Sequence, residues 1–273
     1  LVPKEYRGLT RQRNYGVDKA SETSDMIAFV DDDTELTPNY FEELVRTFVA
    51  DKTIFGVGGV ALNENSWVLT EPNKQYNKYH FFQFDKFVYK EGQRNVVRNY
   101  LGLQSNLGTG KMPDYSHGRT CGFPLDGKIY KVDLLIGMSF AFRKIVFDSI
   151  QFSSYFEGYG LYEDADFSIR ALQFGSNVIN TKVQLNHYHD TSGRPNQYQY
   201  GKMVVRNGWY VWRTKNPTPT FTHQFKWHSI TILLTLIRFS NTFTTHKRKQ
   251  ALTEALGRTV GWWSLIFNKQ KDK

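Results

Sequence analysis

The segment that most restricts the fold is MIAFV (residues 26–30), in which five apolar residues run directly into three aspartates. A continuous apolar run of this length is typical of a short strand covered on both faces, as in a parallel sheet. The residues before this strand predict a helix from Thr10 to Ala20. The residues after it predict an amphipathic helix at 37–49 and a second strand at 54–62. Helix, strand, helix, strand in this order predicts an α/β fold with a mostly parallel sheet flanked by helices.

The rest of the chain is less regular up to residue 130. Residues 63–130 are rich in aromatic residues, asparagine and glycine, and we expect an extended excursion with some helix near Tyr76 to Tyr89. Regular structure is predicted again for 132–142, 163–174 (helix), 178–185 (one or two short strands) and 197–212 (long helix). We predict two parts: an α/β domain over residues 1–220 and a C-terminal helical extension over residues 221–273.

Composition and charge limit the function. Apolar residues make up 40% of the chain, which is enough to bury a core. Residues 221–273 hold nine Lys or Arg against two acids, so they carry +7 of the total net charge of +9. The first 220 residues are therefore near-neutral at +2, which argues against a nucleic-acid partner. Cys121 is the only cysteine, which excludes an internal disulfide framework and a cysteine-based zinc site and fits a reducing cytosol.

The aspartate triplet follows the first predicted strand. Side chains alternate along a strand, so Asp31 and Asp33 should share a face while Asp32 points away. In parallel α/β sheets ligands bind beyond the carboxyl ends of strands, and a hard divalent cation prefers carboxylate oxygens there. The alternative is a polar loop before a helix, because aspartates are favoured near the positive end of the helix dipole. The triplet alone leaves both interpretations open.

A second acidic cluster lies in YEDADFSIR (residues 162–170). Asp166 and Arg170 have the spacing of a helical ion pair, and acids at a helix start complement its dipole. This accounts for Asp166 and Arg170 but less well for Glu163 and Asp164, which sit together just after the glycine-rich FEGYG. A carboxylate at the edge of such a loop is well placed to act as a general base.

Two histidines follow the strand predicted for residues 178–185, in NHYHDTSGR. His187 and His189 alternate to the same face. An isolated histidine is usually a surface or core residue. A pair after a strand, in a chain with clustered carboxylates, favours one imidazole joining carboxylates on Mn²⁺ or Mg²⁺.

Six segments, taken together and in order, resemble a family 2 glycosyltransferase with a GT-A (Rossmann-like) fold. They are LTRQRNYGVDKA, MIAFVDDDTELTP, GVGGV, GMSFAFRK, YGLYEDADFSIRALQFG and NHYHDTSGR, and the likeness spans about Gly8 to Trp212. The resemblance implies an inverting, metal-dependent enzyme with Mn²⁺ or Mg²⁺ as cofactor. It would move a sugar from a nucleotide-sugar donor to a hydroxyl of a glycan or lipid-linked acceptor, in bacterial cell-surface polysaccharide synthesis.

The resemblance also implies catalytic and metal-binding roles. Asp164 matches the catalytic base, with Glu163 beside it and Arg170 orienting these acids. Asp33 matches a ligand of the metal that bridges the nucleotide diphosphate. The additional metal ligand is expected to be His187, with His189 as second choice.

Further residues are implied in substrate binding. Those expected to contact the donor or acceptor are Arg13, Asp31, Asp32, Gly137, Met138 and Ser139. Family members begin with a strand and loop that hold the nucleobase, and no segment of this chain matches them. We therefore expect that about the first quarter of the enzyme is absent from this sequence and that the chain binds nucleotide weakly.

The basic C-terminal part has two interpretations. Residues 227–243 are apolar but interrupted by Arg238, and the uninterrupted run is too short to span a bilayer. With Lys247–Lys249 and Trp262–Trp263, residues 224–267 suit helices lying on a membrane surface. The alternative is a helical pair packed on the domain with solvated lysines. The expected location is the cytoplasm, extending to the inner face of the plasma membrane.

Two other functions compete with glycosyl transfer. A carboxylate-metal phosphohydrolase or nuclease also needs clustered aspartates, but would act without an acceptor sugar. A carbohydrate-binding or assembly module without catalysis is supported by the sixteen tyrosines and the aromatic stretch 67–89. Replacing Asp164 by Asn would abolish turnover in a transferase and leave such a module unchanged.

Overall fold

The computed structural model describes residues 2–119, 121–156, 158–189 and 195–267. The described residues form two compact units. The first draws on residues 1–90, 107–112 and 118–191, and the second on residues 91–106, 113–117 and 192–273. The division at residue 220 stays a prediction.

The α-helices and β-strands are named in the order in which they occur along the chain. They are α1 (Leu9–Lys19), β1 (Met26–Val30), β2 (Thr34–Leu36), α2 (Tyr40–Ala50), β3 (Ile54–Ala61), β4 (Val68–Leu69), β5 (Phe81–Phe84), β6 (Phe87–Lys90), α3 (Gln93–Tyr100), β7 (Ile129–Val132), β8 (Ser139–Arg143), α4 (Glu163–Ala171), β9 (Ser176–His187), α5 (Gln197–Lys215), α6 (Phe221–Thr244) and α7 (Arg248–Phe267).

The main sheet belongs to the first unit and has the order β1-β8-β3-β9-β2, with β7 also paired to β9. The predicted α/β class is confirmed, but the described sheet is mostly antiparallel rather than mostly parallel. Among its described strands, only β3 and β9 pair in parallel. The reason is that β8 lies between β1 and β3 and runs antiparallel to both. The two strands predicted from the start of the chain therefore run in the same direction without being neighbours.

Both faces of the main sheet are covered, although β1 is less covered than expected. Phe140 and Phe142 of β8 are fully buried in one apolar cluster, and Ala141 between them is buried in the other. This alternation is the period of a strand buried on both faces. In contrast, Val30 at the end of β1 is 42% exposed, because β1 lies at one edge of the described sheet.

A small sheet of order β4-β6-β5 replaces the helix expected near Tyr76 to Tyr89. Phe82 pairs with Tyr89 across the β5–β6 hairpin, whose turn contains Asp85 in the left-handed region at φ 52°. Aromatic residues favour strands, and aspartate tolerates this backbone conformation, so local preference supports a hairpin. Trp67 is 9% exposed and packs its ring against Phe82 and Tyr89. The aromatic stretch is thus an internal cluster.

The second unit contains α3, α5, α6 and α7. Helices α5 and α7 approach closely at glycine, since a Cβ on Gly257 would collide with the backbone carbonyl of Tyr198. Buried Glu254 of α7 is 2.7 Å from Arg238 of α6 and 2.8 Å from Arg258 of its own helix. Among the described residues, none of the helices is both long and apolar enough to cross a bilayer.

Candidate functional site

The aspartate triplet forms the turn between β1 and β2. Asp31 and Asp33 are partly buried and Asp32 is exposed, as strand alternation predicts. The backbone N–H of Asp31 donates to the carbonyl of Met138 at 3.3 Å, and the Thr34 hydroxyl donates to the carbonyl of Asp31 at 2.6 Å. The turn is therefore anchored to the segment that precedes β8.

His187 lies at the end of β9 and faces this turn. It pairs with Thr34 in the β2–β9 ladder, and its Nε2 is 3.3 Å from Oδ1 of Asp33. One ligand atom from each of Asp31, Asp33 and His187 lies within 4.8 Å of the others. The structure thus brings together three residues that the sequence placed in the donor and metal sites.

The other nitrogen of His187 faces a carboxylate that the sequence analysis missed. Nδ1 of His187 is 2.6 Å from Oε1 of Glu64, and Nε2 of His189 is 2.9 Å from the same oxygen. The two imidazole rings have centroids 4.1 Å apart. Glu64, His187 and His189 therefore form a second group of potential ligands that shares His187 with the first.

The position of Glu64 had a signal in the sequence. Strands β3 and β9 are parallel neighbours, with Ala61 opposite Leu185. Residues just after the ends of two parallel neighbours must meet at the same edge of a sheet. Parallel pairing of the strands predicted at 54–62 and 178–185 would have placed Glu64 beside His187.

Arg13 of α1 links the acidic residues of the site. Its Nη1 donates to Oε1 of Glu163, its Nη2 donates to the carbonyl of Gly137 at 3.3 Å, and Nη2 is 3.6 Å from Oδ1 of Asp31. The guanidinium is 8% exposed and lies 4.8 Å from the ring centroid of Phe140. Gly137 permits this approach, because a Cβ there would lie 3.1 Å from Nη2 of Arg13.

Glu163 and Asp164 begin α4 but occupy different environments. Glu163 is 4% exposed, and burial together with the adjacent Asp164 raises its pKa well above the usual value, while Arg13 opposes this. Asp164 is partly exposed, and its Oδ2 accepts the backbone N–H of Gly137 at 2.9 Å. A fixed, partly exposed carboxylate next to buried Glu163 and Arg13 can accept a proton from a bound hydroxyl.

The charges of the two acidic clusters influence one another. Burial raises the pKa of Asp31, Arg13 opposes this shift, and Asp33 and Asp164 add to it. The aspartate turn and the start of α4 therefore contribute to one electrostatic site, with Arg13 as the cation between them.

Arg170 makes contacts other than those predicted, and the side chains of Ser139 and Met138 are buried. Arg170 donates to Oδ2 of Asp166 at 2.9 and 2.6 Å and to the carbonyl of Gln151 at 3.0 Å, so the arginine beside Glu163 is Arg13. Ser139 is buried, with its hydroxyl 2.7 Å from that of Tyr40. Met138 is 7% exposed. Asp190–Arg194, the remainder of the histidine motif, lie outside the described residues.

The donor set fits a divalent cation. Two aspartates with one imidazole suit Mn²⁺ or Mg²⁺, whereas two imidazoles with one carboxylate suit softer transition metals as well. The first group has the ligand chemistry expected for the proposed cofactor.

The comparison with known proteins adds one match. Residues 1–104 match the model of the family described as Glycosyl transferase family 2. No curated protein matches the chain. The matched stretch contains Arg13, the aspartate triplet and Glu64, and α4 and the two histidines lie beyond it.

Proposed function

We propose that the chain, whose residues 1–104 match the model of Glycosyl transferase family 2, is an inverting enzyme that moves a sugar from a nucleotide-sugar donor to a hydroxyl acceptor. The observation that carries the proposal is the convergence of Asp31, Asp33 and His187 with Arg13 and Asp164 in one unit of the fold. This arrangement supplies a cation site for a diphosphate and a separate carboxylate for an attacking hydroxyl. The acceptor would be a glycan or a lipid-linked glycan of bacterial cell-surface polysaccharide synthesis.

Asp164 is the proposed catalytic base. An acceptor hydroxyl is a poor nucleophile until its proton is taken, and a positioned carboxylate contributes roughly 10²–10⁴-fold to such a step. The hydrogen bond from the N–H of Gly137 fixes one carboxylate oxygen of Asp164. Attack from the side opposite the leaving nucleotide would invert the anomeric centre.

Arg13 is proposed as a positioning residue for both acidic clusters. Its planar guanidinium reaches Glu163, the carbonyl of Gly137 and Asp31 at once, which a lysine ammonium could not do with the same geometry. Glu163 would hold Arg13 in place, and Arg13 would take the orienting role expected for Arg170. Arg170 would instead support Asp166 at the start of α4.

Asp31, Asp33 and Nε2 of His187 would hold Mn²⁺ or Mg²⁺. When bound, the cation would offset the negative charge that grows on the departing diphosphate. Glu64 would accept the Nδ1–H of His187, which keeps Nε2 free as a ligand. Carboxylate partners of this kind commonly orient metal-binding histidines.

Attachment to the inner face of the membrane is proposed through α6 and the segment after it. Exposed apolar residues recur along one face of α6 at Phe221, Phe225, Ile232, Leu236 and Phe243. The exposed basic segment 247–249 follows directly. An apolar stripe beside clustered lysine and arginine suits a surface of anionic lipids.

Sedimentation with vesicles tests the membrane proposal. The chain should co-sediment with anionic vesicles at low salt and be released by high salt, because the basic segment contributes through a screened attraction. Replacing Phe225 and Leu236 by serine should reduce binding, whereas replacing the exposed Val49 of α2 should not. No co-sedimentation at low salt would refute membrane attachment.

Calorimetry with UDP, GDP and dTDP, with and without Mn²⁺, tests the proposed function first. Nucleotide binding that requires Mn²⁺ and is lost in Asp33→Ala would support the cation site and identify the donor base. Asp164→Asn should keep this binding and abolish sugar transfer, while Asp18→Asn on the exposed face of α1 should change neither. Release of phosphate without an acceptor would favour the phosphohydrolase, and full biological activity of Asp164→Asn would favour the binding module.

A further inference from the structure

A pocket of about 190 Å³ lies beside the candidate site within the first unit. Glu64, which contacts both histidines, forms part of its wall, and so do Ile136 and Met138. These two residues flank Gly137, whose N–H donates to Asp164. The pocket is therefore separated from the proposed base by one short stretch of backbone.

The walls of the pocket are mostly apolar, and their polar side chains are Glu64, Asn65, Tyr89, Thr109, Arg119 and Cys121. Phe123, Ile136, Met138 and Ile179 supply apolar surface, and the small residues at the end of β3 leave the space open. Burying a sugar hydroxyl against such walls without a partner is costly. A methyl group placed there gains the full benefit of leaving water.

Two of the polar residues that line the pocket are held in place by other contacts. The guanidinium of Arg119 lies 4.1 Å from the ring centroid of Phe82, and the Thr109 hydroxyl donates to the carbonyl of Arg119 at 3.2 Å. Tyr89 and Cys121 also line the pocket. Hydroxyl, guanidinium and thiol groups can hydrogen-bond the ring oxygen, hydroxyls or amide of one sugar unit.

We propose that this pocket receives one sugar unit that carries a methyl-terminated substituent, such as an acetamido group or a 6-deoxy carbon. The methyl group faces the apolar walls, and the ring hydroxyls face Arg119, Thr109 and Tyr89. The size agrees, because the pocket is smaller than the roughly 300–1,000 Å³ typical of larger ligands. This inference rests on the proposed function, since it names the substrate class of that site.

The only cysteine of the chain reports on occupancy of the pocket. Cys121 is partly buried in the pocket wall, so a ligand there must slow its alkylation by iodoacetamide. The probes are N-acetylglucosamine and 6-deoxyglucose, each compared with glucose, which lacks the methyl group. We expect both methyl-bearing sugars to protect Cys121 at roughly tenfold lower concentration than glucose, because a methyl group in an apolar pocket is worth about that factor. Cys121→Ser is the control for the site of labelling.

A second set of probes separates donor from acceptor. If the sugar unit belongs to the donor, UDP-N-acetylglucosamine with Mn²⁺ should protect Cys121 better than UDP-glucose does. If it belongs to the acceptor, methyl glycosides of the methyl-bearing sugars should protect Cys121 without any nucleotide. Saturation-transfer NMR should show the strongest transfer at the ligand methyl protons. Equal protection by glucose, no protection by any sugar, or, where Cys121 does not react, no saturation transfer to the ligand methyl protons would overturn the proposal. Mn²⁺-dependent nucleotide binding, measured on the same sample, shows whether the proposed function fails with it.

Discussion

Removal of the Glu64 carboxylate is expected to weaken binding of Mn²⁺ even though Glu64 is not one of the three ligands proposed for it. The carboxylate oxygen lies 2.6 Å from Nδ1 of His187 and 2.9 Å from Nε2 of His189. In Glu64→Ala the His187 ring loses the partner that fixes its orientation and its proton on Nδ1. The lone pair of Nε2 would then face Asp33 for only part of the time.

The size of the effect follows from the exposure of Glu64. Loss of a carboxylate partner of a metal-binding histidine typically costs 10–100-fold in affinity. The Glu64 side chain is 39% exposed, so water screens part of its charge and the loss should lie near the lower bound. We expect about tenfold for Glu64→Ala, or about 1.4 kcal/mol. Glu64→Gln keeps an acceptor oxygen without the charge and should lose about half of that free energy.

Titration of Mn²⁺ followed by electron paramagnetic resonance measures this affinity directly and requires no substrate. Glu35→Ala is the matched control, because Glu35 accepts from the Tyr188 hydroxyl at 2.6 Å and belongs to neither group of potential ligands. Thermal unfolding without metal shows whether each variant is folded. Equal losses in Glu64→Ala and Glu35→Ala, or no loss in either, would refute the orienting role of Glu64.

Two further predictions concern the second unit. Gly257→Ala should lower the free energy of unfolding by about 1–3 kcal/mol, because its Cβ would collide with the backbone of α5. Gly16→Ala, in the open face of α1, should be neutral or stabilising. Equal denaturant midpoints for the two variants would refute the argument. Burial and two nearby arginines lower the pKa of His117 to about 4. Between this pH and 6.5 the unfolded chain therefore binds more protons than the folded chain. The free energy of unfolding should fall by about 3 kcal/mol as the pH drops through this range. His117→Asn should flatten the pH profile measured by denaturant titration, whereas substitution of the exposed His246 should leave it unchanged.

Elements with a strong local pattern could be predicted from the sequence. The apolar run of β1 and the glycine-rich run of β3 begin where expected, and α4 begins at Glu163 as predicted. The alternation of Asp31, Asp32 and Asp33 also follows from local geometry. Each of these features depends on neighbouring residues, so no knowledge of the whole sheet is required.

Features that depend on distant residues could not be predicted in the same way. Nothing local shows that β8, more than a hundred residues after β1, pairs with it and separates it from β3. The contact of Arg13 with Glu163 joins residues 150 positions apart. The hairpin of β5 and β6 was missed for a different reason, since its aromatic residues also fit a helical spacing.

The origin of the cation-binding residues has a consequence for how the protein is made. Asp31 and Asp33 follow β1 and His187 ends β9, while Glu64, the carboxylate partner of His187, follows β3, so no single loop contains the complete site. An unfolded or half-assembled chain would thus bind a divalent cation poorly, and the cation would favour the finished sheet by mass action. At a free concentration a hundred times the dissociation constant, that preference is worth about 2.7 kcal/mol. The cation would therefore bind late in folding, after the strands of the main sheet have paired. Strong chelators present during refolding should lower the yield of native protein without slowing the first steps of folding.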